Sequence, residues 1–353
     1  MNKAKDPLFN IVKRDALPWY KSLGIRLIAI LAALIVCAIV TTILTGINPI
    51  QVYVSIFLGA FGTARKTWIT FQNVAILLLI SLALTPAFRM RFWNIGGEGQ
   101  VLVGGLTAAA CMITLADKGP NVVVVLLMVV CSLGAGAIWE LIPAFFKAKW
   151  NTNETLSTLM MNYIAIQFIM FLQYQPAWQE ERTSFPKIRM LDASAYLPKV
   201  FGVHIGWIIS LILVFVAYIY IAKTKHGYEI SVVGDSPNTA RYAGINVSRV
   251  LIRTMFLSAA LCGLVGFLQV SGSDGTLTEN TANGVGFTAI TVAWLAKMNP
   301  FAMVLVSLFI AVLERGSSSI QTSHGIPSSA ASLLTGIILF FMLGCEFFIN
   351  YKI

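Results

Sequence analysis

The chain has 353 residues, of which 57% are hydrophobic and 11% charged, and its formal net charge is +10. This composition excludes an ordinary soluble domain and predicts an all-α polytopic membrane protein. The basic charge does not indicate nucleic-acid binding, because its distribution along the chain is the one that orients a membrane protein in the bilayer.

The N-terminal segment, residues 1–26, is polar and basic, and we expect it on the cytoplasmic side. The first apolar run follows it and continues to about Ile47 without the small-residue pattern of a cleavage site. It therefore predicts a retained helix rather than a removed signal peptide. Residues 27–350 are predicted to form a single transmembrane domain.

Ten apolar runs are candidate membrane-spanning helices. They cover residues 27–46, 70–88, 100–116, 121–144, 156–174, 205–222, 254–271, 286–297, 301–314 and 331–350. The runs 286–297 and 301–314 are short of the ~20 residues that cross a bilayer, so we interpret them as half-helices or as one unit broken around Asn299–Pro300. Residues 48–68 are apolar but interrupted by glycine and basic residues, and they predict an interfacial or external helix.

The distribution of basic residues predicts the orientation. If the N-terminus lies inside and the spans alternate, 17 Lys and Arg residues fall on the inner side and 8 on the outer side. This bias has the sense of the positive-inside rule, so both termini are expected in the cytoplasm. Two connections are long: residues 175–204 outside, as a lateral helix or docking surface, and residues 223–253 inside.

Residues 94–100 (Asn-Ile-Gly-Gly-Glu-Gly-Gln) place an acid among three glycines between two apolar runs. Irregular backbone at membrane depth is tolerated only where it lines a cavity or is buried in protein, and an acid there must face protein or water. Two interpretations stay open. Asn94, Glu98 and Gln100 line the path of a polar solute, or they stabilise a helix break whose backbone N–H groups bind the carboxylate.

A second stretch, residues 283–290 (Asn-Gly-Val-Gly-Phe-Thr-Ala-Ile), also brings Asn and Gly to the start of an apolar run. Interrupted hydrophobic segments at matching places in two halves indicate a central solute site. On this match, which rests on Asn and Gly only, we expect two pseudo-repeated halves with broken or half helices.

Two polar stripes on apolar helices complete the candidate substrate path. Glu154, Thr158 and Asn162 share one helix face and should point into the bundle, where hydrogen bonding between helices is the alternative to a solute contact. The stripe on the paired half consists of Phe287, Thr288, Thr291 and Trp294. Phe287 could stack on a base or simply pack.

The inner connection contains a second helix signal. Ser236 is a good N-cap, Pro237 a good first helical residue and Gly244 a good stop. Together they predict a helix of about two turns over residues 237–243. Because so short a helix buries little by itself, we expect it to pack against another protein.

The sequence resembles the permease subunits of bacterial ABC importers in the branched-chain amino acid, ribose and nucleoside group. The likeness covers roughly residues 70–345 and is carried by residues 92–100, 153–163, 227–229, 234–244 and 286–290. The Asn-Ile-Gly-x-Glu-Gly-Gln form is similar to the nucleoside permeases of the group. The Gly-x-Asp-Leu-Ser-type stretch usual in its sugar permeases is absent from this place.

The resemblance implies a permease subunit that moves nucleosides across the bacterial cytoplasmic membrane, together with a second permease, ABC ATPase subunits and an extracellular substrate-binding lipoprotein. It identifies residues 235–244 as the family's cytoplasmic coupling helix. The residues expected to contact the ATPase are Asp235, Pro237, Asn238, Arg241, Tyr242 and Gly244. Without the resemblance, they would equally suit a solvated loop whose basic residues set orientation.

No Gly-x-x-x-x-Gly-Lys-[Ser/Thr] sequence occurs in the chain, so we expect no enzyme activity and no cofactor here, with ATP and Mg²⁺ on the partner ATPase. The alternatives are a permease for simple sugars or another small metabolite, an integral-membrane enzyme, and an ion-coupled carrier. All six aspartates lie outside the predicted spans, so the Asp-rich metal sites of membrane prenyl or phosphoryl transferases are not expected. Glu140 and Glu346 lie near predicted span ends, where snorkelling or a cap suffices, whereas a proton-driven carrier should show a buried carboxylate relay.

Overall fold

The computed structural model describes residues 12–13, 18–115, 120–179, 188–189, 196–325 and 328–352. In this part of the chain nearly all regular structure is helical, and eight helices are long and apolar enough to cross a membrane. The prediction of an all-α polytopic membrane protein is confirmed. The helices form two compact units, one of Met1–Thr67 with Val312–Ile353 and the other of Trp68–Ala311.

The first unit joins the two ends of the chain. Its elements are β1 (Val12–Lys13), α1 (Trp19–Thr45), α2 (Pro49–Phe61), the C-terminal part of α12 (Pro300–His324), α13 (Ser328–Asn350) and β4 (Tyr351–Lys352). Helix α1 packs on α13, with an ion pair of 2.5 Å between Arg26 and Glu346. Strands β1 and β4 pair antiparallel, so both ends of the described chain lie on the same side of this unit.

The second unit is a helical bundle. Its helices are α3 (Ala64–Arg89), α4 (Gly97–Leu115), α5 (Asn121–Trp150), α6 (Glu154–Gln173), α7 (Gly206–Lys223), α8 (Lys225–Asp235), α9 (Pro237–Tyr242), α10 (Val247–Gln269), α11 (Val285–Leu295) and α12 as far as Ala311. Every residue from Val74 to Phe88 is buried, which places α3 at the centre. Helices α4, α5 and α10 cross closely where Gly104, Gly136 and Gly263 face one another, as is typical of membrane bundles.

The end of α10 differs from the expectation. The helix continues through a π-helical turn (Val270–Asp274) and stops at Gly275, which has a φ of +64°. Asp274 therefore ends a span instead of lying outside it.

Several predicted boundaries are wrong. The run 301–314 belongs to the full-length helix α12, because backbone hydrogen bonds continue past the charged residues Glu314 and Arg315 that end the apolar run. Only 286–297 is a half-helix, α11. Residues 223–253 contain the unpredicted helix α8, capped by the Thr224 side chain, which accepts a hydrogen bond from the Gly227 N–H group at 3.1 Å.

The other connections are partly as expected. A short helix, α2, forms within 48–68, although residues 64–68 already belong to α3. Within 175–204 the described residues form turns, a bridge between Gln179 and Ile188, and the hairpin of β2 (Lys199–Val200) and β3 (Val203–His204), but no helix. The remainder of that connection, and residues 1–11 and 14–17 of the N-terminal segment, lie outside the described residues.

Candidate functional site

The connection between α3 and α4 is a tight non-helical path. It begins with Arg91, whose φ of +57° lies in the left-handed region. Further on, the Asn94 side chain folds back, and its Oδ1 accepts hydrogen bonds from the Gly96 N–H group at 2.8 Å and from Gln100 Nε2 at 3.2 Å. Asn94 and Gln100 are fully buried. Both residues therefore hold the break in shape.

Helix α6 supplies partners for the backbone of the same break. Thr158 Oγ1 accepts from the Ile95 N–H group at 3.2 Å, while Asn162 donates to the Ile95 carbonyl and accepts from the Gly99 N–H group, both at 2.8 Å. Buried backbone polar groups need such partners. The predicted polar stripe thus faces the bundle interior, as expected, and its two inner members bind protein.

Glu98 connects the two breaks of the chain. Its Oε1 accepts a hydrogen bond from the Gly284 N–H group at 2.7 Å, and its Oε2 accepts one from the Gly286 N–H group at 2.8 Å. Gly284 has a φ of +77°, and a Cβ on Gly286 would lie 2.5 Å from the Glu98 nitrogen. This approach of two chain segments requires glycine. A carboxylate placed at the N-terminus of α11 is also favoured by the helix dipole.

The two stretches predicted to interrupt helices, residues 94–100 and 283–290, therefore meet. Helix α4 begins at Gly97 and α11 at Val285, so both start beside Glu98. They run from it in opposite directions, because α11 returns towards the end of α3. There Arg89 Nη2 donates to the Met298 carbonyl at 3.4 Å. Bound backbone N–H groups are the structural interpretation offered for Glu98 above, but the donors come from the second break rather than the first.

Glu140 is a member of this cluster that sequence reasoning missed. Its side chain is fully buried, and its Oε2 accepts a hydrogen bond from Gln100 Nε2 at 2.7 Å. The interpretation of Glu140 as a snorkelling residue is wrong, because α5 continues to Trp150, past the predicted span end at 144. Nothing in the apolar sequence around Glu140 indicates its partner.

The face of α11 away from the core carries the second predicted stripe. Phe287 and Trp294 are exposed, Thr291 is half-buried, and Thr288 Oγ1 donates to the Gly284 carbonyl at 3.3 Å. Trp294 stacks on Trp93, which precedes the first break and was not among the predicted site residues.

Glu154 lies apart from the other two members of its stripe. It forms an ion pair of 2.8 Å with Lys147 at the start of α6, next to a pocket of about 610 Å³. The pocket walls include Arg91, Lys149 and Arg241. This end of the second unit is therefore strongly basic, and Glu154 is bound within it.

Helix α9 forms where residues 237–243 predict it, at the same end of the unit. The Ser236 side chain accepts from the Thr239 N–H group at 3.2 Å, and Gly244 has a φ of +76°. Ala240 is fully buried and Tyr242 is 95% exposed. The predicted contact residues are all exposed: Asp235, Pro237, Asn238, Arg241, Tyr242 and Gly244.

Helix α8 fixes α9 to the bundle. Ile230 and Val233 pack into a cluster with residues of α3 and α10. His226 Nδ1 lies 2.5 Å from the Tyr220 hydroxyl, and burial lowers the pKa of His226 from its ordinary value, with Arg253 acting in the same sense and Glu229 opposing it. A neutral imidazole at this position can accept a hydrogen bond from the Tyr220 hydroxyl at Nδ1.

Comparison with known proteins agrees with this architecture. A family described as branched-chain amino acid transport system, permease component, matches residues 67–343. The chain is 29% identical to a glucose ABC transporter permease of Haloferax volcanii, covering 96% of this chain and 92% of the relative. It is 30% identical to a nucleoside ABC transporter permease of Lactococcus lactis, covering 90% of each chain. It is 28% identical to a guanosine ABC transporter permease of Bacillus subtilis, covering 90% and 92%. No solved structure matches.

Proposed function

This chain belongs to the family of branched-chain amino acid transport system permease components, and from this premise we propose that it is a permease subunit of an ATP-driven importer for nucleosides. The members of the family are transport subunits. The proposed complex contains a second permease, ABC ATPase subunits that bind ATP and Mg²⁺, and an extracellular substrate-binding lipoprotein, in a bacterial cytoplasmic membrane.

The observation that carries the proposal is the meeting of two broken helices at Glu98. Both oxygens of Glu98 accept backbone hydrogen bonds from the second break, so the carboxylate connects the start of α4 to the start of α11. Transporters place solute sites at such discontinuities, where backbone at membrane depth lines a cavity. We assign the solute path to the accessible side of this junction.

The residues of that path fall into two roles. Phe287, Thr291 and Trp294 are at least partly accessible on α11 and would contact the solute. The breaks are held in place by buried residues: Asn94, Glu98, Gln100, Thr158 and Asn162. Glu98 also gates the path, because breaking its hydrogen bonds to the second break would separate the two segments. The polar hydroxyl and the aromatic rings suit a solute with a ribose and a flat base.

The coupling to ATP is proposed to pass through α9. The exposed Tyr242 and its exposed neighbours Asn238 and Arg241 offer a partner contact, while the buried Ala240 transmits a push into the cluster that holds α8. Movement of this cluster would shift the inner end of α3, since Ala87 and Met90 belong to it. The connected break at 90–96 would then change shape.

Nucleosides are favoured over sugars by the motif at residues 94–100 and by the names of the Lactococcus and Bacillus relatives. A glucose importer is the second candidate, because the Haloferax relative covers 96% of this chain at 29% identity.

Uptake in proteoliposomes tests the proposal. The two permeases, the ATPase and the binding protein are reconstituted, and ATP is supplied on the side of the membrane that carries the ATPase. Tritiated adenosine, guanosine and glucose are offered in parallel. We expect ATP-dependent uptake of the nucleosides, abolished when the P-loop lysine of the ATPase is replaced by alanine. Uptake of glucose alone would favour the second candidate, and uptake driven by an ion gradient without ATP would contradict both.

A further inference from the structure

Two stacked tryptophans lie beside the broken helices. The ring centroids of Trp93 and Trp294 are 5.2 Å apart and their planes differ by 13°. The two residues are 46% and 39% exposed, although they come from segments 201 positions apart in the chain. Phe88 packs against both, with its ring centroid 6.4 Å from that of Trp93 and 6.2 Å from that of Trp294.

The pair is located at the inner end of α11. This helix has 11 residues and so rises about 16 Å from the junction at Glu98. Trp294 is its penultimate residue, and the next turn is tied to the end of α3 through Arg89 and Met298. The tryptophans therefore lie one short helix below the junction, on the side where α9 is found.

The backbone at Trp93 argues against a lipid-facing position. Residues 91–96 are not helical, and irregular backbone at membrane depth is stable only when it is buried in protein or lines a water-filled cavity. Asn94 and Gly96 hydrogen-bond within the break, whereas the Trp93 side chain points out of it and is accessible. Trp93 is therefore accessible beside the break. A pocket of about 240 Å³ adjoins it, lined by Phe88, Arg91, Phe92, Trp93 and Trp294.

We propose that Trp93 and Trp294 form an aromatic platform on which the planar base of the cargo stacks as it leaves the junction for the cytoplasm. The inference rests on the proposed import of nucleosides and names the part of the solute that these residues recognise. Stacking on an aromatic face is tolerant of base identity, because every base presents a π-face. The platform therefore carries purine and pyrimidine nucleosides alike.

The chemistry of the pocket supports a base more than a sugar. Four of its five lining residues are aromatic, and these rings offer broad apolar faces but few of the hydrogen-bond partners that a free hexose needs. The remaining residue, Arg91, has a planar guanidinium that stacks on flat rings. The ribose would lie towards the junction at Glu98, near the hydroxyl of Thr291.

Photolabelling tests the platform. The complex of both permeases with the ATPase, free of ATP and of the binding protein, is irradiated in nanodiscs with 8-azidoadenosine, and labelled peptides are identified by mass spectrometry. We expect label on the segments around Trp93 and Trp294 that adenosine displaces and glucose does not. In Trp93→Leu and Trp294→Leu, labelling should fall on the order of 10-fold, whereas Trp93→Phe and Trp294→Phe should keep most of it.

The matched control is Trp68→Leu, which removes a different stacked tryptophan, one that pairs with Phe201 at 4.7 Å and 6°. It should label and transport like the parent. If the leucine variants label and import adenosine as well as the parent complex does, the platform is refuted while nucleoside import stands. If the parent complex imports no nucleoside at all, the proposed function fails and the platform fails with it.

Discussion

At the scale of single residues, Glu98 uses both carboxylate oxygens for the second break, with hydrogen bonds of 2.7 and 2.8 Å to Gly284 and Gly286. Glu98→Ala would leave two backbone N–H groups unpaired, at a cost of about 1–3 kcal/mol each. We expect uptake to fall by at least ~10-fold with assembly intact, measured as ATP-driven nucleoside uptake alongside the yield of purified complex.

Glu98→Gln should behave similarly, because its amide presents a donor where an acceptor is needed. Glu229→Gln is the control: it removes an ion pair of 4.0 Å with the exposed Lys225, and ion pairs with an exposed partner contribute little. Uptake by Glu98→Ala equal to that of Glu229→Gln would remove Glu98 from the mechanism.

The Glu140 side chain gives a second prediction at this scale. It is fully buried and bonds to Gln100, which also bonds to Asn94. Glu140→Ala would leave a cavity and an unpaired amide hydrogen, so we expect a lower Tm and reduced uptake. Glu140→Gln keeps the shape of the side chain and an oxygen that accepts the hydrogen bond, so its Tm and its uptake should stay close to those of the parent.

Thermal unfolding of the purified complex and uptake are measured for the two Glu140 variants together. If Glu140→Gln is as damaged as Glu140→Ala, a negative charge rather than a hydrogen-bonded shape is what this position requires, and the positioning role is refuted.

These residues also indicate what the sequence could predict. The glycines and asparagines at 94–100 and 283–290 identified the breaks, because such backbone needs small or side-chain-capped residues. They did not identify the donors to Glu98, since Gly284 and Gly286 lie 186 and 188 positions away, and no local pattern reports so distant a contact. Trp93 was missed because one aromatic residue before a break has no periodicity.

At the scale of elements, the bounds of α9 were predicted to within one residue because its signals are local. Ser236 caps the helix, Pro237 begins it and Gly244 stops it. Helix α8 and the length of α12 were missed for the opposite reason. Hydropathy measures how much of a helix is apolar, so it gives no information on a short amphipathic helix or on a polar extension of a span. The stabilising contacts of α8 come from Ile230 and Val233 against other helices.

The exposed Tyr242 gives the prediction for α9. A tyrosine that is 95% exposed contributes nothing to the fold of the subunit, and aromatic residues are enriched at contact surfaces between proteins. Tyr242→Ala should therefore leave the folded permease unchanged but lower nucleoside uptake and the stimulated ATPase rate of the complex. ATPase assays and co-purification of the ATPase measure the effect.

Tyr228→Ala is the matched control, since Tyr228 is a 66% exposed tyrosine on the neighbouring α8. Coupling through α9 predicts a loss for Tyr242→Ala only. An equal loss in both variants would indicate a general surface effect, and no loss in either would contradict the role of α9.

At the scale of the whole molecule, the membrane orientation decides whether α9 can meet an ATPase. The pairing of β1 with β4 brings the two ends of the described chain together, and the basic residues favour a cytoplasmic position for them. Helix α7 has 18 residues and is about 27 Å long. It therefore separates the hairpin of β2 and β3 at one face from α8 and α9 at the other.

Cysteine labelling in intact cells and in inverted vesicles tests this orientation. Asn238 on α9 and Lys199 on β2 are both exposed, so a cysteine at either position should react with a membrane-impermeant maleimide. We expect Lys199→Cys to react in intact cells and Asn238→Cys only in inverted vesicles. The parent chain is the control, because its five cysteines lie within helices. The reverse pattern would place α9 outside the cell, where no ATP-binding partner could push it, and ATP-driven import through α9 would be refuted.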